Sequence, residues 1–415
     1  MELVVKNVGK ISTARMEING VTVITGYNGS GKSTLCKSLY AVVDSFADIT
    51  PKVTMQRMNS MVSAEYQWED TLRAHKMDEN DIDSIRDAML ESIIADRRRE
   101  NANLLYEEIA KIGAAFSLES SLIDDIVEKC REIREKDKEE YIQFIVSRNV
   151  KSIFKNQIGH VNFYKEKQAE IELKDGAKTL SMFFVGNELT EYDYRFGTLK
   201  KPIYIEPQSI LDSFEAGSAH AIYGRQNSKI QEFLVMDEGF NKEMTLEEYQ
   251  ERERNIKIIN EILHEVTHGA LVSSQGRSLA YSENGLSENI VCGNIASGLK
   301  SFLIIQRMIE NGALGSGRLL IIDEPEVNLH PEWQLVFAKI LVLLNKELGI
   351  KVVISTHSPY FLRAIESYME EADNCENAKY YLTVSDDSSF YTLRDVSDEK
   401  ELIYKTMYKP LEEIN

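Results

Sequence analysis

The chain of 415 residues has few of the features that mark membrane or secreted proteins. It contains no run of about eighteen uncharged apolar residues, so a membrane-spanning helix is not expected. Its start, MELVVKNVGK, reads as a strand and lacks the basic and then apolar order of a signal peptide. Its four cysteines form no CxxC pair, which predicts reduced, buried thiols rather than disulfides or a cysteine zinc cluster. We therefore expect a cytoplasmic protein with no membrane partner.

Positive charge is also scarce, since 48 lysines and arginines stand against 67 carboxylates and the formal net charge is -19. An acidic protein repels a phosphate backbone unless its basic residues are gathered on one face. The one tight basic run is Arg97–Arg99, which acidic residues flank, and such a run is usually a solvated helix face. Nucleic acid thus stays open as a partner, but the charge balance does not favour it.

The order of periodic patterns predicts an α/β fold in three segments. Residues 1–41 read as three strands, a glycine-rich loop and a helix, which is the opening of a nucleotide-binding core. In residues 42–159 the apolar positions recur at helical spacing, which predicts an all-helical insertion. Residues 160–415 return to strands, with an antiparallel hairpin about Asp175-Gly176, a parallel βαβ arrangement and a terminal hairpin and helix. We expect a mixed β-sheet with an antiparallel β-subdomain.

The segment GYNGSGKS, residues 26–33, matches the phosphate-loop pattern GxxxxGK[ST]. It follows the buried strand pattern VTVIT and opens a helix, so its predicted context agrees with the motif. Its glycines let backbone N–H groups surround phosphates, Lys32 would bridge phosphate oxygens, and Ser33 would coordinate Mg²⁺. ATP and Mg²⁺ are the expected cofactors, and the predicted nucleotide-binding residues are Gly26, Asn28, Gly29, Ser30, Gly31, Lys32, Ser33 and Thr34.

Two further strand ends carry candidate catalytic residues. LLIIDEPEVNLHP ends a buried strand in Asp323 and Glu324, which predicts a metal-binding carboxylate followed by a general base for the attacking water. KVVISTHSP ends a second buried strand at His357, whose side chain could contact the γ-phosphate and sense its loss. The order of loop, acid pair and histidine predicts an ATPase with Glu324 and His357 as catalytic residues.

A different chemistry is suggested by His264-Glu265-Val266-Thr267-His268, which fits the zinc-peptidase pattern HExxH. On one helix the two histidines would share a face, and Glu265 would act as the base. No clear third ligand follows at metallopeptidase spacing, so a zinc peptidase is only a remote alternative.

The segments GYNGSGKST, LLIIDEPEVNLHP and VVISTHSP resemble the ABC-type ATPases of the SMC, RecF and overcoming-lysogenization-defect (OLD) group. The resemblance implies an ABC-type P-loop core that closes as a homodimer, or a higher homo-oligomer, around ATP. It also implies a signature motif that contacts the partner's ATP, and NIASGLKSF matches it with Ser297, Gly298 and Lys300. Ala296 departs from the pattern, since the group usually has a serine there. The group's Q-loop glutamine corresponds either to Gln208, which we favour, or to Gln56.

The resemblance also implies a biological setting. OLD nucleases carry a TOPRIM domain after the switch histidine, whereas the stretch after His357 is too short for one. Stand-alone ATPases of this kind commonly belong to bacterial anti-phage or toxin–antitoxin-like operons. We therefore expect a sensor ATPase that controls a separately encoded effector protein, such as a nuclease or toxin. A RecF-type repair ATPase that binds DNA directly is the alternative.

Overall fold

The computed structural model describes residues 1–74, 78–96, 102–162, 165–206, 211, 230, 232–234, 245–273, 279–386 and 390–412. The chain divides into two compact units. Unit 1 comprises Met1–Ala47 and Asn149–Asn415, and unit 2 comprises Asp48–Arg148. Unit 2 therefore interrupts unit 1 just after the first helix.

The first part of unit 1 contains three strands and one helix. These are β1 (Glu2–Val8), β2 (Ile11–Glu17), β3 (Val21–Thr25) and α1 (Lys32–Phe46). All five residues of β3 are buried, as expected of a β-branched strand with both faces covered. Residue 42, where the sequence analysis begins the helical insertion, lies inside α1. This helix ends at Phe46, one residue before the end of this part of unit 1.

Unit 2 is built from helices in its described residues. They are α2 (Ile49–Ala74), α3 (Glu79–Asp96), α4 (Ala102–Ala115), α5 (Ser120–Glu135) and α6 (Lys138–Ile153), whose last turn belongs to unit 1. Their buried apolar side chains form a separate small core that includes Ile82, Ile85 and Ile126. The helical insertion expected from the sequence is thus confirmed, while the basic run Arg97–Arg99 lies outside the described residues.

The second part of unit 1 alternates strands and helices. In chain order these elements are β4 (Ala169–Asp175), β5 (Lys178–Val185), β6 (Glu188–Tyr194), β7 (Ile203–Ile205), α7 (Leu246–Thr267), β8 (Gly269–Ser273), β9 (Leu279–Glu283), β10 (Ile290–Val291), α8 (Ser297–Glu310), β11 (Leu319–Asp323), α9 (Pro331–Leu348), β12 (Lys351–Thr356), α10 (Pro359–Glu371), β13 (Ala378–Ser385), β14 (Tyr391–Asp395) and α11 (Glu401–Glu412). The predicted hairpin at Asp175-Gly176 is confirmed, and Gly176 supplies the positive φ of 61° that its turn requires.

The strands of unit 1 form a mixed sheet and a small antiparallel sheet. The larger sheet, within the described residues, has the order β6-β5-β4-β1-β2-β14-β13-β3-β12-β11-β7. Its first five strands pair antiparallel, whereas β13, β3, β12, β11 and β7 pair in parallel. The smaller sheet has the order β10-β9-β8. The predicted α/β architecture, with a mixed sheet and an antiparallel part, is confirmed.

Two properties of the described residues bear on the expected compartment. None of the described helices is long and apolar enough to cross a membrane. The four cysteines are free thiols, but only Cys36, Cys130 and Cys292 are buried. The expectation that all four are buried is wrong for Cys375, which begins a short 3₁₀ turn at the surface between α10 and β13.

Candidate nucleotide-binding site

The candidate site lies where the parallel strands of the larger sheet end. Asp323 of β11 pairs with Ser355 of β12, and Ser355 in turn pairs with Ile24 of β3. Thr356, the last residue of β12, pairs with Thr25, the last residue of β3. This register brings the phosphate loop, the acid pair and His357 to one edge, which is where open α/β sheets bind ligands.

The glycines of the phosphate loop adopt backbone conformations that other residues rarely take. Gly26 has a φ of 141°, Gly29 one of 74° and Gly31 one of 94°. A Cβ on Gly26 would lie 1.8 Å from Thr383 Oγ1, and one on Gly31 would lie 2.4 Å from Ile11 Cδ1. The loop therefore requires glycine at both positions. No side chain of the described residues caps the start of α1 through a hydrogen bond, so its N–H groups are available to an anion.

Lys32 is already placed within the loop. Its Nζ donates hydrogen bonds to the carbonyl oxygens of Gly26 and Tyr27, both at 3.0 Å, and the residue is only 4% exposed. Burial lowers the pKa of Lys32, although the charges of Glu324 and Asp323 act in the opposite direction. An ammonium group has three donors, so these two bonds leave one N–H for a phosphate oxygen.

Asp323 is a buried carboxylate that two hydroxyl groups orient. Its Oδ1 accepts a short hydrogen bond from Ser355 Oγ, and its Oδ2 accepts one from Tyr204 OH at 3.1 Å. Burial and the charge of Asp323 raise the pKa of Tyr204 well above its ordinary value, so this phenol stays a donor. These two hydrogen bonds leave further lone pairs of the carboxylate for a hard cation, which fits Mg²⁺ together with the hydroxyl of Ser33.

Glu324 differs from Asp323 in both exposure and backbone conformation. Its side chain is 31% exposed, and its φ of 54° lies in the left-handed region that residues other than glycine seldom occupy. Its N–H donates to the carbonyl oxygen of Ser355 at 3.0 Å and lies 3.2 Å from Ser355 Oγ. This strained turn directs one carboxylate of the pair inward and leaves the other accessible to water.

His357 follows β12 directly and lies beside two carboxylates. Its Nδ1 is 3.5 Å from Glu324 Oε1 and 3.4 Å from Glu326 Oε1. Its backbone N–H donates to the same Glu326 oxygen at 2.9 Å. The structure thus brings together both predicted catalytic residues, Glu324 and His357, and adds Glu326, which the sequence-based reasoning missed although the motif DEPE contains it.

The predicted signature segment opens α8. Ala296 occupies the N-cap position without a side-chain hydrogen bond, and Ser297, the first helical residue, is exposed. The N–H of Lys300 donates to the carbonyl oxygen of Ala296 at 3.2 Å. A Cβ on Gly298 would lie 2.7 Å from the carbonyl oxygen of Asn328, so only glycine lets α8 approach the turn after the acid pair.

The remaining predicted residues fall elsewhere. Gln208 lies outside the described residues, and its rival Gln56 lies on α2 in unit 2. The zinc-peptidase pattern begins on α7, but the helix ends at Thr267 and His268 has a φ of 52°. Its two histidines and Glu265 are exposed. Within the described part of the chain no group of three or more His, Cys, Asp or Glu side chains is arranged to hold a metal ion.

Thr383 of β13 is a second residue that the sequence-based reasoning missed. Its Oγ1 lies 3.1 Å from the carbonyl oxygen of Thr25 and 2.6 Å from Ser30 Oγ. A hydroxyl has one proton, and a carbonyl oxygen can only accept a hydrogen bond. Thr383 therefore either donates to the carbonyl oxygen of Thr25 and accepts from Ser30 Oγ, or donates to Ser30 Oγ. All three residues are buried. Thr383 therefore fastens the phosphate loop to β13, and no motif in the sequence indicates this role.

A phosphate loop, a buried carboxylate and an adjacent, partly exposed carboxylate at the ends of parallel strands are the arrangement of a P-loop nucleoside triphosphatase. The family model of the AAA ATPase domain matches residues 1–362. The chain belongs to this AAA ATPase domain family and is an ATP-binding and ATP-hydrolysing enzyme. The comparison with curated proteins found no match.

Among solved structures the chain is similar to head domains of SMC proteins. The SMC head bound to the C-terminal winged-helix domain of ScpA is 10% identical with a TM-score of 0.44, over 97% of this chain and 98% of that one. The SMC head domain from Thermotoga maritima is 11% identical with a TM-score of 0.37, over 95% and 98%. The SMC head with an extended coiled coil, bound to the C-terminal domain of ScpA from Pyrococcus furiosus, is 12% identical with a TM-score of 0.35, over 100% and 98%.

The contact of Thr383 with the phosphate loop predicts a role in ATP binding. Thr383→Val keeps the shape of the side chain and removes the hydroxyl, so it is expected to raise KM for ATP about 5-fold, the equivalent of one hydrogen bond. Steady-state ATPase kinetics measure this change. Thr392→Val on β14 is the matched control, because the half-buried Thr392 donates from Oγ1 to the carbonyl oxygen of Val384 at 3.5 Å and has no hydrogen bond with the phosphate loop among the described residues. Equal KM values for Thr383→Val and the control would contradict the role.

Proposed function

We propose that the chain is an ABC-type ATPase of the SMC, RecF and OLD group that closes as a homodimer around ATP. In this proposal it acts in the bacterial cytoplasm as the sensor and regulator of a separate effector protein in anti-phage defence. The observation that carries the proposal is the pairing of the phosphate loop, the acid pair and His357 at one sheet edge with an exposed helix start at Ser297 that no side-chain hydrogen bond of the described residues caps.

The first part of the proposal, ATP hydrolysis, assigns a role to each residue at the strand ends. Lys32 and the N–H groups of the loop bind the phosphates, while Ser33 and Asp323 would hold Mg²⁺, which neutralises charge on the β- and γ-phosphates when bound. Glu324 accepts the proton of the attacking water, and its exposure and its proximity to His357 support this role. His357 donates a hydrogen bond toward the γ-phosphate.

The second part of the proposal, dimer formation, rests on α8. A helix start with free N–H groups attracts anions, and no side chain of the described residues occupies this one through a cap hydrogen bond. Ala296 has no hydroxyl to offer, so the contact with a second copy's ATP would use Ser297 and backbone N–H groups. Because Gly298 packs against Asn328, a shift of α8 would move the turn that follows the acid pair.

The third part of the proposal, control of an effector, rests on the net charge and on the elements that follow His357. The net charge of -19 disfavours direct binding to a nucleic acid. Beyond His357 the described residues form α10, the β13–β14 hairpin and α11, and they contain no cluster of acidic side chains suited to a nuclease metal site. In this proposal the output activity belongs to another chain, with the ATP state as the switch.

The dimer is tested by separating ATP binding from hydrolysis. Glu324→Gln is expected to lower kcat about 100-fold or more, because a general base contributes about that factor, and to accumulate an ATP-dependent dimer. Lys32→Ala, the control, is expected to stay monomeric with ATP because productive phosphate binding is lost. Light scattering after size-exclusion chromatography gives the mass of each. Wild-type hydrolysis by Glu324→Gln would refute the base, and a monomer in saturating ATP would refute the sandwich dimer.

Direct DNA binding is the competing function, and salt separates it from the proposal. We expect no binding of duplex DNA below micromolar concentrations at physiological salt, because the acidic chain offers few phosphate contacts. Fluorescence anisotropy of a labelled duplex across a salt series measures this. Nanomolar affinity with a steep salt dependence would favour a RecF-type ATPase instead.

The defence role is tested in cells. Expressed with its neighbouring genes, the wild-type chain is expected to reduce phage plaques, whereas Lys32→Ala abolishes protection because the ATP switch is lost. Plaque counts over a panel of phages measure the effect, and deletion of each neighbouring gene identifies the effector. Protection by the chain alone, or equal protection by Lys32→Ala, would contradict control of a separate effector by ATP.

A further inference from the structure

Glu326 is a buried carboxylate to which the hydrolytic roles above give no task. It lies in the turn between β11 and α9 and is 6% exposed. Its Oε1 accepts hydrogen bonds from Thr356 Oγ1 at 2.7 Å and from the N–H of His357 at 2.9 Å. Its Oε2 is buried and has no hydrogen-bond partner among the described residues. A buried carboxylate oxygen without a partner costs stability.

The partners of Glu326 are two consecutive residues at the end of β12. Thr356 is the last residue of that strand, and its Oγ1 also accepts a hydrogen bond from the N–H of Ser358 at 3.0 Å. Ser358 Oγ in turn bonds Gln334 Oε1 at 2.8 Å and caps α10. Glu326 Oε1 thus restrains the side chain of Thr356 and the backbone N–H of His357. The hydrogen bonds of Ser358 continue this restraint into α10.

The same oxygen also lies near the imidazole of His357. Nδ1 of His357 is 3.4 Å from Glu326 Oε1 and 3.5 Å from Glu324 Oε1, so the ring lies beside both carboxylates. The side chain of His357 is 43% exposed, and packing alone does not restrain it. Without the anchor at Glu326, the ring would lose its fixed position relative to the exposed carboxylate of Glu324.

We propose that Glu326 is a positioning residue for hydrolysis: its hydrogen bonds to Thr356 and to the N–H of His357 hold the imidazole beside Glu324. Glu326 acts through His357, and its side-chain hydrogen bonds among the described residues go to the end of β12 and not to the phosphate loop or Asp323. The inference rests on the proposed role of His357 in hydrolysis. It predicts a loss in kcat with little change in KM for ATP.

The test is a double-mutant cycle on the full chain. Glu326→Ala is expected to lower kcat about 10-fold, since it removes two bonds to a charged acceptor. Glu326→Gln is expected to stay within about 3-fold of the wild type, because its amide oxygen can still accept both bonds. In His357→Ala, which keeps the backbone N–H but loses the ring, adding Glu326→Ala is expected to have no further effect on kcat.

Glu366 provides the matched control for removal of a buried carboxylate. It is 3% exposed and, like Glu326, has a buried oxygen without a hydrogen-bond partner among the described residues. It accepts a hydrogen bond from Tyr404 OH at 2.8 Å and pairs with Arg363, away from the strand ends. Glu366→Ala is expected to lower thermal stability and to leave kcat unchanged.

Each alternative outcome contradicts a specific step. Independent, multiplying effects of Glu326→Ala and His357→Ala would show that Glu326 does not act through the imidazole. A loss in Glu326→Gln as large as that in Glu326→Ala would assign the effect to charge instead of hydrogen bonding. Wild-type kcat in His357→Ala would instead overturn the proposed role of His357, and the positioning role with it, while ATP hydrolysis through Glu324 would stand.

Discussion

The hydrogen bonds of Ser355 are the interaction on which the rest of the site depends. Its hydroxyl donates to the carboxylate of Asp323, and its carbonyl oxygen accepts the N–H of Glu324. These contacts hold both acids against β12, the strand that lies between β11 and β3. Because β3 leads directly into the phosphate loop, Asp323, Glu324 and Lys32 share one frame of paired strands.

Three neighbouring carboxylates in this frame differ in burial and in hydrogen bonding. Asp323 is buried with its oxygens on hydroxyl donors, Glu324 is partly exposed in a strained turn, and Glu326 is buried against the end of β12. Burial raises the pKa of Glu326, opposed by its hydrogen bonds with Thr356 and His357. Three acids within four positions can therefore serve metal binding, base catalysis and positioning, because their surroundings differ more than their chemistry.

The C-terminal hairpin is part of the nucleotide site although it is remote in sequence. The match to the AAA ATPase domain ends at residue 362, yet Thr383 of β13 contacts Ser30 and leaves no room for a side chain at Gly26. β14, its partner in the hairpin, pairs with β2 and so connects the parallel and antiparallel parts of the larger sheet. A partner that bound this hairpin would lie close to the loop that holds the phosphates.

The sequence by itself determined the fold class, the helical nature of unit 2, the phosphate loop and the identity of the acid pair. These features are local: strand and helix periodicity, glycines in a fixed spacing, and acids at the end of an apolar run reveal themselves over a few residues. The zinc-peptidase pattern failed for a local reason as well, since α7 ends one residue before the second histidine.

Only the tertiary structure decided which polar residues join the site. Tyr204, Ser355 and Thr383 contact Asp323 or the phosphate loop from strands that are up to 353 residues away in the chain, as Thr383 is from Ser30. Glu326 stood within the motif, but its task depends on the end of β12. A single hydroxyl or carboxylate leaves no periodic pattern in the sequence. Its role is set by strand register, which brings distant residues within hydrogen-bonding distance.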